Sequence, residues 1–238
     1  MGLENTMNVG IHQPQYLPWL PYFLKIEQSD VFIILDTVSF QKNGLQNRNQ
    51  VMTINGAHWL TVPVRQKLGC KIFDIGIDNS SDWRRKHWQT IQHNYGKSEA
   101  FKYYQKDLES IYTRDWHRLC ELNIEILKMM MQWMNIKTPI LRSSQMNATG
   151  VASDLVLNLC LEVGAKTYLS GAGGENYLKP EAFQNAGVKL VYQPSSLPSV
   201  YPQYSSKDGF INCLSALDIL LNCGDRWRSY LSPEIFKQ

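Results

Sequence analysis

The groups able to do chemistry in this 238-residue chain fall in a few short stretches. The first is His12-Gln13-Pro14-Gln15-Tyr16-Leu17-Pro18-Trp19, where one imidazole, two amides and two aromatic rings stand among prolines that fix φ. A loop needed only for connection is served by Gly, Asn, Asp or Ser. This one reads as preorganised, with His12 as a proton acceptor and Tyr16 and Trp19 as stacking surfaces. The alternative is a strand ended by its prolines, with Tyr16, Trp19 and Phe23 in the core. A second group is Asp36, placed directly after a β-branched run. A third is the polar text of 37–49, in which Lys42, Asn47, Arg48 and Asn49 stand together. A guanidinium flanked by amides suits bidentate capture of phosphate or carboxylate; the alternative is an exposed arginine on a hairpin edge.

Two further groups complete the candidates. Ser170-Gly171-Ala172-Gly173-Gly174 with Tyr177 is a glycine-rich turn whose backbone amides can cradle an anion. It matches neither a Walker loop nor a dinucleotide fingerprint. Arg84, His87, Trp88 and Ile91 recur at i, i+3, i+4 and i+7 and so share one mixed helix face, with Lys86 off it and solvated. His87 taken alone reads as a satisfied helix histidine.

The elements that must position these groups follow from periodicity. Residues 9–11 form a first strand, 20–28 a helix and 31–35 a strand buried on both faces. Strand, helix, strand opens a parallel sheet, and Asp36 then lies at the carboxyl end, where open α/β sheets place ligands. Residues 51–54 and 59–64 around Asn55-Gly56 predict a hairpin with a type I′ turn. Ile72, Phe73, Ile75 and Ile77 suggest another strand, and Ser80 or Ser81 caps a helix through His93. Residues 98–135 carry two helices, with methionines 129, 130, 131 and 134 as a flexible core seam. Strands are expected at 138–143, 167–170 and 188–193. Helices are expected from 153 to about 164, from Pro180, and over 214–221. Residues 194–202 are extended and proline-rich, leading into Tyr201-Pro202-Gln203-Tyr204. The outline is an α/β core of 1–79 and 136–238 with a mostly parallel sheet, and a helical insert of 80–135 packed on it.

Composition bounds the function. A formal charge of +3 and a pI near 8.5 suit anionic small-molecule substrates without demanding nucleic acid. Apolar runs fall short of the roughly 20 residues needed to span a bilayer, and residues 1–10 do not read as a signal peptide. Cysteines 70, 120, 160, 213 and 223 are odd in number and include no C-x-x-C pair, which fits reduced thiols in cytoplasm and no zinc site. Cys120 and Cys160 sit in apolar helical patterns, and Cys70 is the one to test for reactivity.

The text from His12 to Trp19 resembles the opening signature of the WbqC-like family of surface polysaccharide gene clusters. The likeness continues through Asp36-Thr37-Val38-Ser39-Phe40-Gln41-Lys42, Asn47-Arg48-Asn49 and Trp59-Leu60-Thr61-Val62-Pro63-Val64. It extends to Trp83-Arg84-Arg85-Lys86-His87-Trp88, Tyr168-Leu169-Ser170-Gly171 and Tyr201-Pro202-Gln203. Membership implies a cytoplasmic role in O-antigen or related synthesis. A looser likeness implies a Rossmann-like, nucleotidylyltransferase-like fold of the pantothenate synthetase kind, whose H-x-G-H loop is replaced here by Gln15-Tyr16-Leu17-Pro18-Trp19. The expectation is a transferase that acylates or aminoacylates the amine of a nucleotide-linked sugar. His12 would be the base and Asp36 its orienting partner. Tyr16, Trp19, Lys42, Asn47, Arg48, Asn49, Arg84, His87, Ser170, Gly171, Gly173, Gly174 and Tyr177 would bind substrate. No built-in cofactor or metal is called for; an activated acyl donor or ATP is the co-reactant. The alternatives are ATP-dependent amide ligation through an acyl-adenylate, and a non-enzymatic protein that binds nucleotide sugars.

Overall fold

A continuous β-branched run such as Val31-Phe32-Ile33-Ile34 marks a strand covered on both faces, and it lies within a central sheet of five strands. In the computed structural model, which describes residues 6–65, 69–193, 200–203 and 209–231, contacts divide the chain into two compact units. The first comprises 1–13, 21–38 and 136–195; the second comprises 14–20, 39–135 and 196–238. The expected features at 1–5, 194–199 and Tyr204 lie outside the described residues.

In the first unit the strands are β1 (Asn8–His12), β2 (Val31–Ile34), β7 (Ile140–Arg142), β8 (Thr167–Ser170) and β9 (Lys189–Tyr192). All are parallel, in the order β7-β2-β1-β8-β9. Counted by appearance within the sheet this is 3-2-1-4-5, so the order reverses between β1 and β8, and the fold is α/β and Rossmann-like. On one face Val9, Ile11, Ile33 and Tyr168 pack with α5 (Ser153–Glu162) and α6 (Pro180–Asn185) through Val156, Leu159, Cys160 and Phe183. On the other lies α1 (Leu20–Glu27), whose Tyr22 ring stands 5.4 Å from that of Phe32.

The second unit contains the antiparallel pairs β3 (Arg48–Thr53) with β4 (Gly56–Thr61) and β5 (Val64–Arg65) with β6 (Gly76–Ile77). Its helices are α2 (Trp83–Tyr95), α3 (Phe101–Thr113), α4 (Leu119–Trp133) and α7 (Ala216–Cys223). The stacking of Trp88 on Phe101 and on Tyr112 binds α2 to α3.

Three local expectations are corrected. The hairpin does not close by a type I′ turn, which needs two residues of positive φ. Thr53 pairs with Gly56, and Gly56 alone in that turn has positive φ, at 91°. Residues 72–77 do not form one strand: Ile72–Asp74 is a 3-10 turn, followed by the two residues of β6. Helix α2 is preceded by Asp82 rather than capped by Ser80 or Ser81, and no side-chain cap bond forms there.

Candidate functional site

The carboxyl ends of β1 and β8 open onto a cavity of about 230 Å³ in the first unit. His12, the last residue of β1, lines it with Gln13, Lys25, Tyr168, Tyr177 and the turn that follows β8. Open α/β sheets bind ligands at this kind of reversal point. Lys25 reaches it from α1, a helix whose residues 20–26 are all buried. Its Nζ lies 2.7 Å from His12 Nδ1 and donates to Ile11 O at 3.4 Å. The His12 ring packs at 4.8 Å on Tyr22. Burial disfavours the charged form of each partner. It lowers Lys25 to about 7 and, joined by repulsion from Lys25, pulls His12 well below the usual imidazole range.

The turn after β8 forms the opposite wall. Ser170, Gly171, Gly173, Gly174 and Tyr177 all line the cavity, so these five candidates share one site with His12. Only Gly174 is demanded by packing: a Cβ there would stand 2.0 Å from Ser170 Oγ and 2.8 Å from Leu178 Cδ1. At Gly173 a Cβ would meet nothing within 4 Å, and at Gly171 only Lys25 Nζ at 3.6 Å. The backbone at these two positions is bare toward the cavity. Tyr168 is buried, which raises its phenol well above the ordinary value, and hydrogen bonds tie it to Ser170 and Tyr177.

Asp36, fully buried beyond the end of β2, belongs to the same unit. Its Oδ2 accepts from Arg142 Nε and Ser144 Oγ, each at 2.8 Å. Its Oδ1 accepts from Ser143 Oγ at 2.9 Å and the Ser144 amide at 2.8 Å. These bonds tie β2 to the turn after β7, while the neighbour of His12 Nδ1 is Lys25.

The remaining candidates fall in the second unit. Tyr16 is fully buried, and its hydroxyl lies 2.8 Å from both His87 Nδ1 and the Tyr112 hydroxyl. The Tyr16 ring thus stands in the core, the second of the two placements considered for this loop. His87 is buried in the same cluster, and burial lowers its pKa to about 4. Trp19 is partly buried, with its backbone bridged to Ser215. Asn47 and Asn49 are buried braces, donating through Nδ2 to Val62 O at 2.9 Å and Leu17 O at 2.7 Å. Arg48 donates to Asn43 O at 2.5 Å and stacks 4.4 Å from the Trp59 ring centre. Arg84 pairs with Asp115 at 2.6 Å, and Lys42 is exposed.

Sequence reasoning missed Lys25, Arg142, Ser143 and Ser144. The signal for Lys25 is a lone charge in the otherwise apolar text Tyr22-Phe23-Leu24-Lys25-Ile26. No local signal marks the other three, which meet Asp36 across more than a hundred residues of chain. Among the described residues no group of three or more His, Cys, Asp and Glu could hold a metal ion, and no helix is long and apolar enough to cross a membrane.

A family model described as the WbqC-like protein family matches residues 13–230. The uncharacterized protein Rv1507c of Mycobacterium tuberculosis is 30% identical over 226 residues, covering 94% of this chain and 96% of that protein. No solved structure matches the chain. The match runs through both units and includes all the candidate residues but His12, one position before it begins, and the chain belongs to the WbqC-like protein family.

Proposed function

We propose that the chain transfers an acyl or aminoacyl group to the amine of a nucleotide-linked sugar in surface polysaccharide synthesis, with the cavity of the first unit as the reaction site. The observation that carries this reading is His12, held uncharged by burial at the sheet's reversal point. A neutral imidazole is the form able to take a proton. Among the described residues no carboxylate lines the cavity and Lys25 does, so an incoming ammonium is disfavoured there relative to the free amine. The amine nitrogen then bonds to the acyl carbon, the bond from that carbon to its leaving group breaks, and the surplus amine proton passes to His12. Asp36 fixes the end of β2 beside β1, and the bare backbone at Gly171 and Gly173 leaves room for the donor.

A mass-spectrometric screen of nucleotide amino sugars with activated acyl donors, read for the mass gain of an amide, tests the reaction. His12→Ala is expected to lower turnover at least about a hundredfold; turnover within about threefold of the parent would remove His12 from the chemistry. The 3-2-1-4-5 strand order, familiar in nucleotide-binding folds, favours a second reading, ATP-dependent ligation through an acyl-adenylate. Exchange of labelled pyrophosphate into ATP that depends on a carboxylic acid separates the two.

A further inference from the structure

Lys25 is the one Lys or Arg among the described residues lining the cavity, and the acyl transfer proposed above makes no covalent use of it. It is 2% exposed, and no Asp or Glu among those residues pairs with it. A buried ammonium without a counter-charge is costly, so burial favours the neutral amine and brings Lys25 to about 7. The hydrogen-bond neighbours of Nζ are His12 Nδ1 at 2.7 Å and Ile11 O at 3.4 Å, the second beyond the usual range. The other titratable groups lining the cavity are His12 from β1, Tyr168 from β8 and Tyr177 from the turn after it. All are held uncharged: burial, joined by repulsion from Lys25, lowers the imidazole, and burial raises both phenols. Across the cavity wall stands Gly171, where a Cβ would come within 3.6 Å of Nζ. The absence of a side chain there leaves the amine uncovered on that side.

We propose that Lys25 Nζ is a nucleophile that forms a Schiff base with the keto carbon of a 2-oxo acid held in the cavity. A lysine amine is activated for this chemistry when a site desolvates it and so keeps it unprotonated near neutrality. The Nζ lone pair forms a bond to the keto carbon, the carbonyl oxygen leaves as water with the two hydrogens of Nζ, and a carbon–nitrogen double bond remains. Neither oxidant nor reductant is consumed. The acid group sets the ligand class. A protonated imine is a cation, and among the described residues lining the cavity no carboxylate can balance it. A 2-oxo acid brings its own carboxylate on the adjacent carbon, whereas a neutral ketone brings none. The bond asks for no proton transfer to His12 and is independent of the acyl transfer proposed above.

Pyruvate with cyanoborohydride at pH 7 tests this on the full chain, because reduction of the imine leaves a stable carboxyethyl group that peptide mapping places. Lys25 is expected to be labelled at least about tenfold faster than exposed lysines, since an amine at the ordinary value near 10.4 is almost wholly protonated at that pH. Acetone, which carries no acid group, is expected to label Lys25 far more slowly than pyruvate does. The preference for Lys25 should vanish when the chain is unfolded in urea. Gly171→Val retains the lysine, covers Nζ and should slow the labelling; the measurements on the parent chain stand by themselves if that variant does not fold. Pyruvate label absent from Lys25 or spread evenly over the lysines would overturn the proposal. So would acetone labelling as fast as pyruvate, or labelling of folded Gly171→Val at the parent rate.

Discussion

Arg142 Nε donates to Asp36 Oδ2 at 2.8 Å, joining the ends of β7 and β2, with Asp36 fully buried and the arginine side chain one-quarter exposed. Removing one partner of a buried pair strands the other. Asp36→Ala is therefore expected to destabilise the fold by about 3–5 kcal/mol, because a guanidinium, two hydroxyls and an amide lose their acceptor together. Urea unfolding measures this, and a loss below about 1 kcal/mol would show that the brace is not structural.

The glycines after β8 are expected to separate packing from function. Gly174→Ala forces a Cβ into Ser170 and Leu178 and should cost about 1–3 kcal/mol. Gly173→Ala meets nothing within 4 Å among the described residues and should leave the melting temperature nearly unchanged, or raise it slightly, while narrowing the cavity. Thermal melts with ligand titrations on both variants check the contrast. Equal destabilisation of the two would remove it.

His87 supplies an acid-side stability dependence. Its folded pKa is lowered to about 4 from 6.5, so between these values the unfolded chain binds more protons than the native one. Stability should fall as pH drops from 6.5 toward 4, by on the order of 3 kcal/mol for this group. His12, lowered for the same reason, adds in the same direction. Denaturant midpoints at several pH values in the parent and in His87→Gln test it; an unchanged slope in the variant would assign the dependence elsewhere.

Lys25 acts in the opposite pH range. Its folded pKa of about 7 lies below the unfolded value of 10.5, so stability should rise with pH across that window. Lys25→Met should flatten the rise and stabilise the fold at pH 7 by about 1–4 kcal/mol. The same denaturant series, extended to pH 10, measures it, and a destabilised variant would contradict a net cost of burying this amine.

Asp218 is buried on α7 and accepts from the hydroxyls of Tyr95 and Tyr201 and from Gln203 Nε2. Tyr95 also accepts from the Met52 amide. Tyr95→Phe therefore leaves one donor and one acceptor unsatisfied and should cost about 1–3 kcal/mol. Calorimetry measures this, and a neutral substitution would mean that water replaces the hydroxyl.

The parallel sheet was readable because runs such as Val31-Phe32-Ile33-Ile34 admit few other homes. Residues 72–77 misled because Ile72, Ile75 and Ile77 are all buried while the first interval is three residues, the period of a 3-10 turn rather than a strand. At the site, His12 and the glycine turn were readable because both sit at strand ends. Lys25 was not, since a basic residue near a helix C-terminus is ordinarily explained by the helix dipole. For Tyr16 both placements stayed open, because a proline-framed aromatic in a loop looks the same whether it faces ligand or core.

The seven residues 14–20 leave the first unit after His12 and Gln13 and return to it at α1, while belonging to the second. Neither unit is a continuous stretch of sequence, so no single truncation delivers either one intact. During synthesis Tyr16 emerges before its partners His87 and Tyr112, which follow 71 and 96 residues later. The strand bearing His12 and the helix bearing Lys25 are thus tethered to a segment whose burial waits for most of the chain. His12 and Lys25 are therefore made before the residues that secure their tether.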